Sequence, residues 1–281
     1  MTYRDYLLLA KKNNKKNEQI NKIILLKFIN KDLSWLYTNL SQTIAIDFLE
    51  SYLQLVKKFV AGYPLQYIIG YQWFLDHKFV VDNRVLIPRN ETEELVKNVF
   101  VYAQNIFNND NLKVLDLGTG SGAIAISLAL KKPNWNIVAS DISKDALTIA
   151  KINNDNFNLK NINFVESDIF TNLKNHKFNI IVSNPPYIDE TANTFSKHNL
   201  QYEPKLALFA DHKGLYFYEV IFQQCHAVLE KSFLLAFEFG FDQKEALTIL
   251  IKKYLPQYNY KFIKDINNKW RMLFIWQALE W

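Results

Sequence analysis

The chain has 281 residues, 49% hydrophobic and 15% aromatic, which excludes a disordered segment and supplies one large core or two unequal ones. A single cysteine, Cys225, excludes an internal disulfide and a cysteine-rich zinc site, and His77, His176, His198, His212 and His226 lack metal-ligand spacing. The net charge of +5 lies entirely in the front third, because residues 1–85 hold 12 Lys/Arg and 7 Asp/Glu whereas the rest hold 21 of each. A reducing compartment and a metal-free mechanism are therefore expected. The basic front would suit RNA or an acidic partner, although KKNNKK alone, read as a solvated loop between helices, carries four of the charges.

Near the start, YLLLA is too short for a signal-peptide core, and no later apolar run approaches the roughly 18 residues of a membrane span, so a cytoplasmic location and no membrane partner are expected. From Glu18 to Val60 apolar residues recur at helical spacing (Ile20, Ile23, Ile24; Leu33, Leu36, Leu40; Phe48, Leu53, Val56), which predicts a small helical bundle. AGYP at 61–64 breaks the pattern. The aromatic-rich YQWFLDHKFVVDNRVLI that follows reads as a short hairpin bridging two domains, with turns at LDH and DNR. PRNETEELV then opens a helix, with Asn90 as N-cap and Glu91, Glu93 and Glu94 at the positive end of the helix dipole. Beyond it strand-like and helix-like runs alternate (KVLDLG, AIAISLALKK, NIVASDI, DALTIAKINN, INFVESDI, NIIVSN, a helix near 214–230, SFLLAFEFG, another helix, RMLFIWQAL), predicting an α/β fold with a mainly parallel sheet.

KVLDLGTGSGAIAISLA places a glycine-rich turn between an apolar strand and an Ala-rich helix. Gly118, Gly120 and Gly122 let the backbone turn tightly and approach a ligand, with Thr119 and Ser121 between them. Alone, this loop fits nicotinamide and S-adenosylmethionine equally; the missing G-K-[ST] argues against a nucleoside triphosphate. Three acids narrow the choice. Asp116 gives D-x-G-x-G, usual in S-adenosylmethionine enzymes, and Asp141, 19 residues after Gly122, ends the next strand where a carboxylate binds ribose hydroxyls. Asp168 ends the third, placed for an adenine amine with Ile169 beside the ring.

FNIIVSNPPYID is the fourth strand by count, and in an open α/β sheet ligands sit where strand order reverses, between the first and fourth strands. Asn184 should then face the glycine loop. The Asn184 side-chain carbonyl and the Pro185 backbone carbonyl can each accept one hydrogen of a planar NH2 group, Pro185 and Pro186 stiffen the turn, and Tyr187 can cover the substrate. Such a corner suits methyl transfer to an amide or base nitrogen, driven by orientation and oxygen dipoles without a strong base.

With GYPLQYIIG, VLIPRNETEELV, DLGTGSGAIAISLA, SDIS, SDIF, NPPYI, YEPKLALF and EFG, the chain resembles the release factor glutamine methyltransferases, the PrmC/HemK family, over nearly its whole length. NPPY is shared with enzymes that methylate base amines, whereas PLQYIIG, IPR-x-ETE and YEPKLAL are far more specific. The resemblance implies a helical substrate-recognition domain at 1–69, a β-hairpin linker at 70–88 and a class I, Rossmann-like methyltransferase domain with a seven-stranded sheet at 89–281. It implies S-adenosylmethionine as donor, S-adenosylhomocysteine as product, and as substrate the Gly-Gly-Gln glutamine of peptide chain release factors, methylated on its amide nitrogen by a monomer that needs no nucleic acid. Carried over, Gly118 to Gly122, Asp141, Ile169 and Asn184 hold the cofactor, and Asn184 to Tyr187 the glutamine. Asn90 replaces a common proline, and Ile169 a frequent tryptophan. The rival readings are a methyltransferase for base amines, which normally carries a strand-reading domain, and a non-catalytic cofactor-binding adaptor on the ribosome.

Overall fold

The computed structural model describes residues 1–15, 17–107, 111–192 and 200–278; Lys16 of KKNNKK and His198 lie outside them. Two units result, one from Met1–Tyr71 with Ser196–Tyr202, the other from Gln72–Phe195 with Glu203–Trp281. No helix among the described residues is long and apolar enough to cross a membrane.

The first unit holds α1 (Tyr3–Asn13), α2 (Glu18–Ile29), α3 (Leu33–Thr38), α4 (Asp47–Val60) and α5 (Leu65–Ile69). Helix α1 was not legible in the apolar pattern. It starts at a capping box, in which the Thr2 side chain accepts from Asp5 N and the Asp5 carboxylate accepts from Thr2 N. Lys11 and Lys12 of KKNNKK therefore close a helix rather than populate a loop, at the end where the dipole favours cations. The apolar stripes meet in a core of Tyr6, Ile24, Leu25, Leu36, Tyr52 and Val56. Two tyrosines enter it because their hydroxyls are satisfied: Tyr6 donates to Ala45 O and Tyr52 to Asn21 O.

The hairpin is β1 (Tyr71–Phe74) and β2 (His77–Val80), with Leu75 and Asp76 both left-handed in its two-residue turn. Phe74 and Phe79 project into the main core of the second unit. The third apolar run, VLI at 85–87, forms no strand. Helix α6 (Asn90–Ile106) is capped by Arg89 rather than Asn90, since Arg89 is extended and its carbonyl accepts from Thr92 N. Asn90 is thus the first helical residue, where a proline would fit because the N–H there has no helical partner.

The sheet comprises β3 (Lys113–Leu117), β4 (Asn136–Asp141), β5 (Ile162–Glu166), β6 (Phe178–Ser183), β7 (Leu229–Glu238), β8 (Asn259–Lys264) and β9 (Trp270–Gln277). Around it lie α7 (Ala123–Lys131), α8 (Lys144–Asn156), α9 (Tyr216–Gln224) and α10 (Lys244–Tyr254). Strand order is β5-β4-β3-β6-β7-β9-β8, with β9 antiparallel to both neighbours and the other pairings parallel. This is the class I methyltransferase arrangement. Strand β8 escaped sequence reading because it is a largely exposed edge without an apolar run. Both faces of the central strands are buried: Val114, Ile180 and Val182 enter one core, Leu115, Leu117 and Ile181 the other.

Two buried polar groups shape the end of β3. Asp116 Oδ2 accepts from the Thr119 hydroxyl at 2.6 Å and from Ala125 N at 3.0 Å, tying strand, loop and helix together. Asn153, on α8, accepts from Val80 N at 2.7 Å and donates to Val80 O at 3.0 Å and Ser121 O at 2.8 Å, so one amide joins the hairpin to the glycine loop. Asn153→Ala strips one buried and two partly buried backbone groups of their partner and should cost about 2–4 kcal/mol in urea unfolding. An unchanged unfolding midpoint would show that those groups find other partners.

Burial pushes Asp116 up from 3.8 to about 7, the Thr119 and Ala125 hydrogen bonds opposing the shift. The folded chain therefore binds this proton more tightly than the unfolded chain does, and the contribution to stability declines as pH rises from about 4 through about 7. Glu238 and Asp141, also raised by burial, act in the same direction. Melting temperature should fall between about pH 4 and about pH 7, and Asp116→Asn should flatten that fall. Parallel profiles for parent and variant would exclude Asp116 as the source.

Candidate active site

Parallel pairing sets Val114 beside Ile180, Leu115 beside Ile181 and Asp116 beside Val182, so β3 and β6 end together. Their exits form one wall of a cavity of about 320 Å³ that contains Gly118, Gly120, Asp141, Asp168, Ile169, Asn184, Pro185 and Pro186. Most of the expected site residues are thus brought to one place. Thr119, Ser121, Gly122 and Tyr187 do not line it.

The glycines divide their work. Gly118 and Gly120 have φ of +74° and +55°, and a Cβ on either would meet nothing within 4 Å, so bare backbone faces open space. A Cβ on Gly122 would stand 3.0 Å from Ile126 Cδ1 and 3.2 Å from Ala150 Cβ, so this glycine serves the packing of α7 against α8. The Thr119 hydroxyl donates to Asp116, and the Ser121 backbone carbonyl accepts from Asn153 Nδ2. Asp141 accepts from Gly120 N and Ser143 N, both at 2.9 Å, which fixes its carboxylate at the cavity wall. Burial raises its pKa against those backbone donors. Exposed glycine backbone, a fixed carboxylate and the apolar Ile169 fit the ribose and adenine of S-adenosylmethionine. Ile169 holds a φ of +46°, unusual for a β-branched residue, in a turn where its carbonyl accepts from the Ser167 hydroxyl.

Further lining comes from Arg84 to Leu86 and from Pro204, Leu206 and Ala207. Glu203 clasps them. Its carboxylate accepts from Ile87 N at 3.0 Å and from Arg89 Nη2 at 2.5 Å, which explains structurally why IPR and YEPKLAL occur together.

At the NPPY corner, Asn184 Nδ2 donates to Thr92 Oγ1 at 3.1 Å, and the Thr92 hydroxyl donates to Glu238 Oε2 at 2.6 Å. Tyr187 donates its hydroxyl to Glu238 Oε1 at 3.2 Å, and its carbonyl accepts from Gln243 Nε2. Burial drives the Tyr187 phenol far above its ordinary range, with the Glu238 charge adding to it. Sequence reading missed Thr92 and Glu238 as participants. Their signals were the motifs ETE and EFG, quoted without a role.

Residues 97–234 match the family model of the methyltransferase small domain, and residues 7–70 that of the PrmC N-terminal domain. The chain is 37% identical to the release factor glutamine methyltransferase of Mycoplasma mycoides subsp. mycoides SC over 90% of either chain. It is 42% identical to the enzyme of that name from Lactococcus lactis subsp. lactis over 86% of this chain and 87% of that one. A methyltransferase structure from Pyrococcus furiosus aligns with a TM-score of 0.51 and 17% identity over 73% of this chain and 91% of that one, a likeness of fold. Identity of 37% and 42% over 86–90% of the chains places the protein: it belongs to the release factor glutamine methyltransferase family.

Proposed function

We propose that the protein methylates the side-chain amide nitrogen of the Gly-Gly-Gln glutamine in bacterial-type release factors, using S-adenosylmethionine and releasing S-adenosylhomocysteine. The observation that carries the reading is the placement of Asn184 and Pro185 in the cavity that holds Gly118, Gly120 and Asp141. When bound, S-adenosylmethionine supplies an electrophilic methyl carbon. Gly118 and Gly120 would receive it on bare backbone, Asp141 at its ribose, and Asp168 and Ile169 at its adenine. Thr119, Ser121 and Gly122 would contribute by holding the loop in shape.

The chain's own work at the acceptor is to aim a nitrogen. An amide nitrogen is a poor nucleophile because its lone pair is delocalised. Asn184 Oδ1 and the Pro185 carbonyl would accept its two N–H groups, fix the plane of the NH2, and favour the positive charge that develops on nitrogen. The proton can leave after transfer, so no strong base is required. Pro186 stiffens the corner, and Tyr187, turned to Glu238, supports it from behind.

Action as a monomer is part of the same reading. Residues 1–69 would recognise the release factor, residues 70–88 would link them to the catalytic part at 89–281, and the reaction would proceed in the cytoplasm without nucleic acid. The surplus of basic residues in the front third supports a recognition role there.

Labelled cofactor given with a purified release factor should label that factor and not the same factor with its loop glutamine replaced. Label on DNA or RNA, or undiminished label on the glutamine-free factor, would refute the reading. Asn184→Ala should lower kcat by roughly 100-fold while cofactor affinity changes far less. Near-parental turnover would remove Asn184 from the acceptor site.

A further inference from the structure

Two features of the corner go beyond holding substrate: a threonine hydroxyl lies between two polar side chains, and one buried carboxylate serves both ends of NPPY. A hydroxyl has a single hydrogen. In Thr92 that hydrogen is directed to Glu238 Oε2 at 2.6 Å, so Thr92 Oγ1 can only accept from its other neighbour. The neighbour is Asn184 at 3.1 Å, which must present Nδ2; with the amide turned over, two acceptor oxygens would meet. The orientation of Asn184 is therefore dictated from behind, and Oδ1 is left for the acceptor side. Glu238 Oε1 meanwhile accepts from Tyr187 at 3.2 Å, three residues further along.

The carboxylate is itself held in place. Tyr218 donates to Glu238 O at 2.6 Å, and Arg271 reaches the next residue, donating from Nη1 to Phe239 O at 3.2 Å. Burial raises the pKa of Glu238, and the Thr92 hydrogen bond, the Arg271 charge and the Tyr187 hydrogen bond oppose that shift.

We infer that Thr92 and Glu238 are positioning residues: Glu238 polarises the Thr92 hydroxyl, Thr92 fixes the Asn184 amide with its oxygen toward the acceptor nitrogen, and Glu238 anchors Tyr187 at the other end of the same corner. This rests on the assignment of Asn184 to the acceptor. It adds that an asparagine at this position is insufficient unless its two amide atoms are told apart.

The test is a set of cycles in the full-length protein with a release factor as substrate, measuring kcat, KM for the factor, cofactor affinity by titration, and melting temperature. Thr92→Val keeps the shape and removes the hydroxyl; it should lower kcat by about 10-fold or more, the scale of a misaligned reacting group, with cofactor affinity nearly unchanged. Thr92→Ser restores the hydroxyl and should recover most of the turnover. Glu238→Gln, whose amide can donate to Thr92 and release its hydrogen, should lower kcat without abolishing folding. In an Asn184→Ala background Thr92→Val should reduce turnover little further, because it acts through that amide, whereas Glu238→Gln should keep only the part of its loss that runs through Tyr187. Parental kcat in Thr92→Val, a serine variant as impaired as the valine one, or losses that multiply fully with Asn184→Ala would each overturn the relay. If Asn184→Ala itself turns over normally, the acceptor assignment fails instead, so the two failures are distinct. Should Thr92→Val not fold, Thr92→Ser and Glu238→Gln decide the matter through the same cycle.

Discussion

Parallel pairing of β3 with β6 is the constraint on which the cavity depends. Because Asp116 stands beside Val182, the glycine loop and NPPY emerge from adjacent central strands at their carboxyl ends, and neither needs a long excursion to reach the other. Strands before and after this pair extend the sheet in opposite directions, β4 and β5 one way, β7 to β9 the other. The crevice left at the reversal needs no separate fold to form it. Apolar residues on both sheet faces stabilise the register, since a slip by one residue would exchange the two cores and turn Asp116 with them.

Within that frame the polar side chains work by binding several backbone and side-chain groups at once. Asp116 takes one donor from the loop and one from the helix; Asn153 uses acceptor and donors on the hairpin and the loop; Asp141 takes two backbone donors. Such networks cost stability through burial, visible in the raised pKa values of Asp116, Asp141 and Glu238, and return definition of position. Methyl transfer without acid or base catalysis relies on position more than on reactivity, so a site built this way matches the chemistry it is assigned.

How much of this the sequence disclosed depended on range. Asn184 stood out because an apolar run ended on an amide and two prolines, and Asp141 because a strand ended on an acid, both local patterns. Thr92 did not, because its partner Asn184 lies 92 positions away and a threonine in a first helical turn looks like an ordinary capping residue. Glu238 was hidden likewise, its two partners lying 146 and 51 positions off. Strand β8 lacked the apolar alternation that marks half-buried strands, and α1 was signalled by its capping box rather than by an apolar stripe. Tyr187 was legible as part of the motif, yet the direction of its hydroxyl belongs to tertiary structure alone.

Glu203 carries a mechanical consequence. One carboxylate grips both Ile87 N and Arg89, and the segments next to the grip, Arg84 to Leu86 and Pro204, Leu206 and Ala207, both contribute to the cavity lining. Displacing one segment must either break a buried charge-assisted bond or drag the other along. The two segments are therefore coupled through Glu203, a residue that does not itself line the cavity.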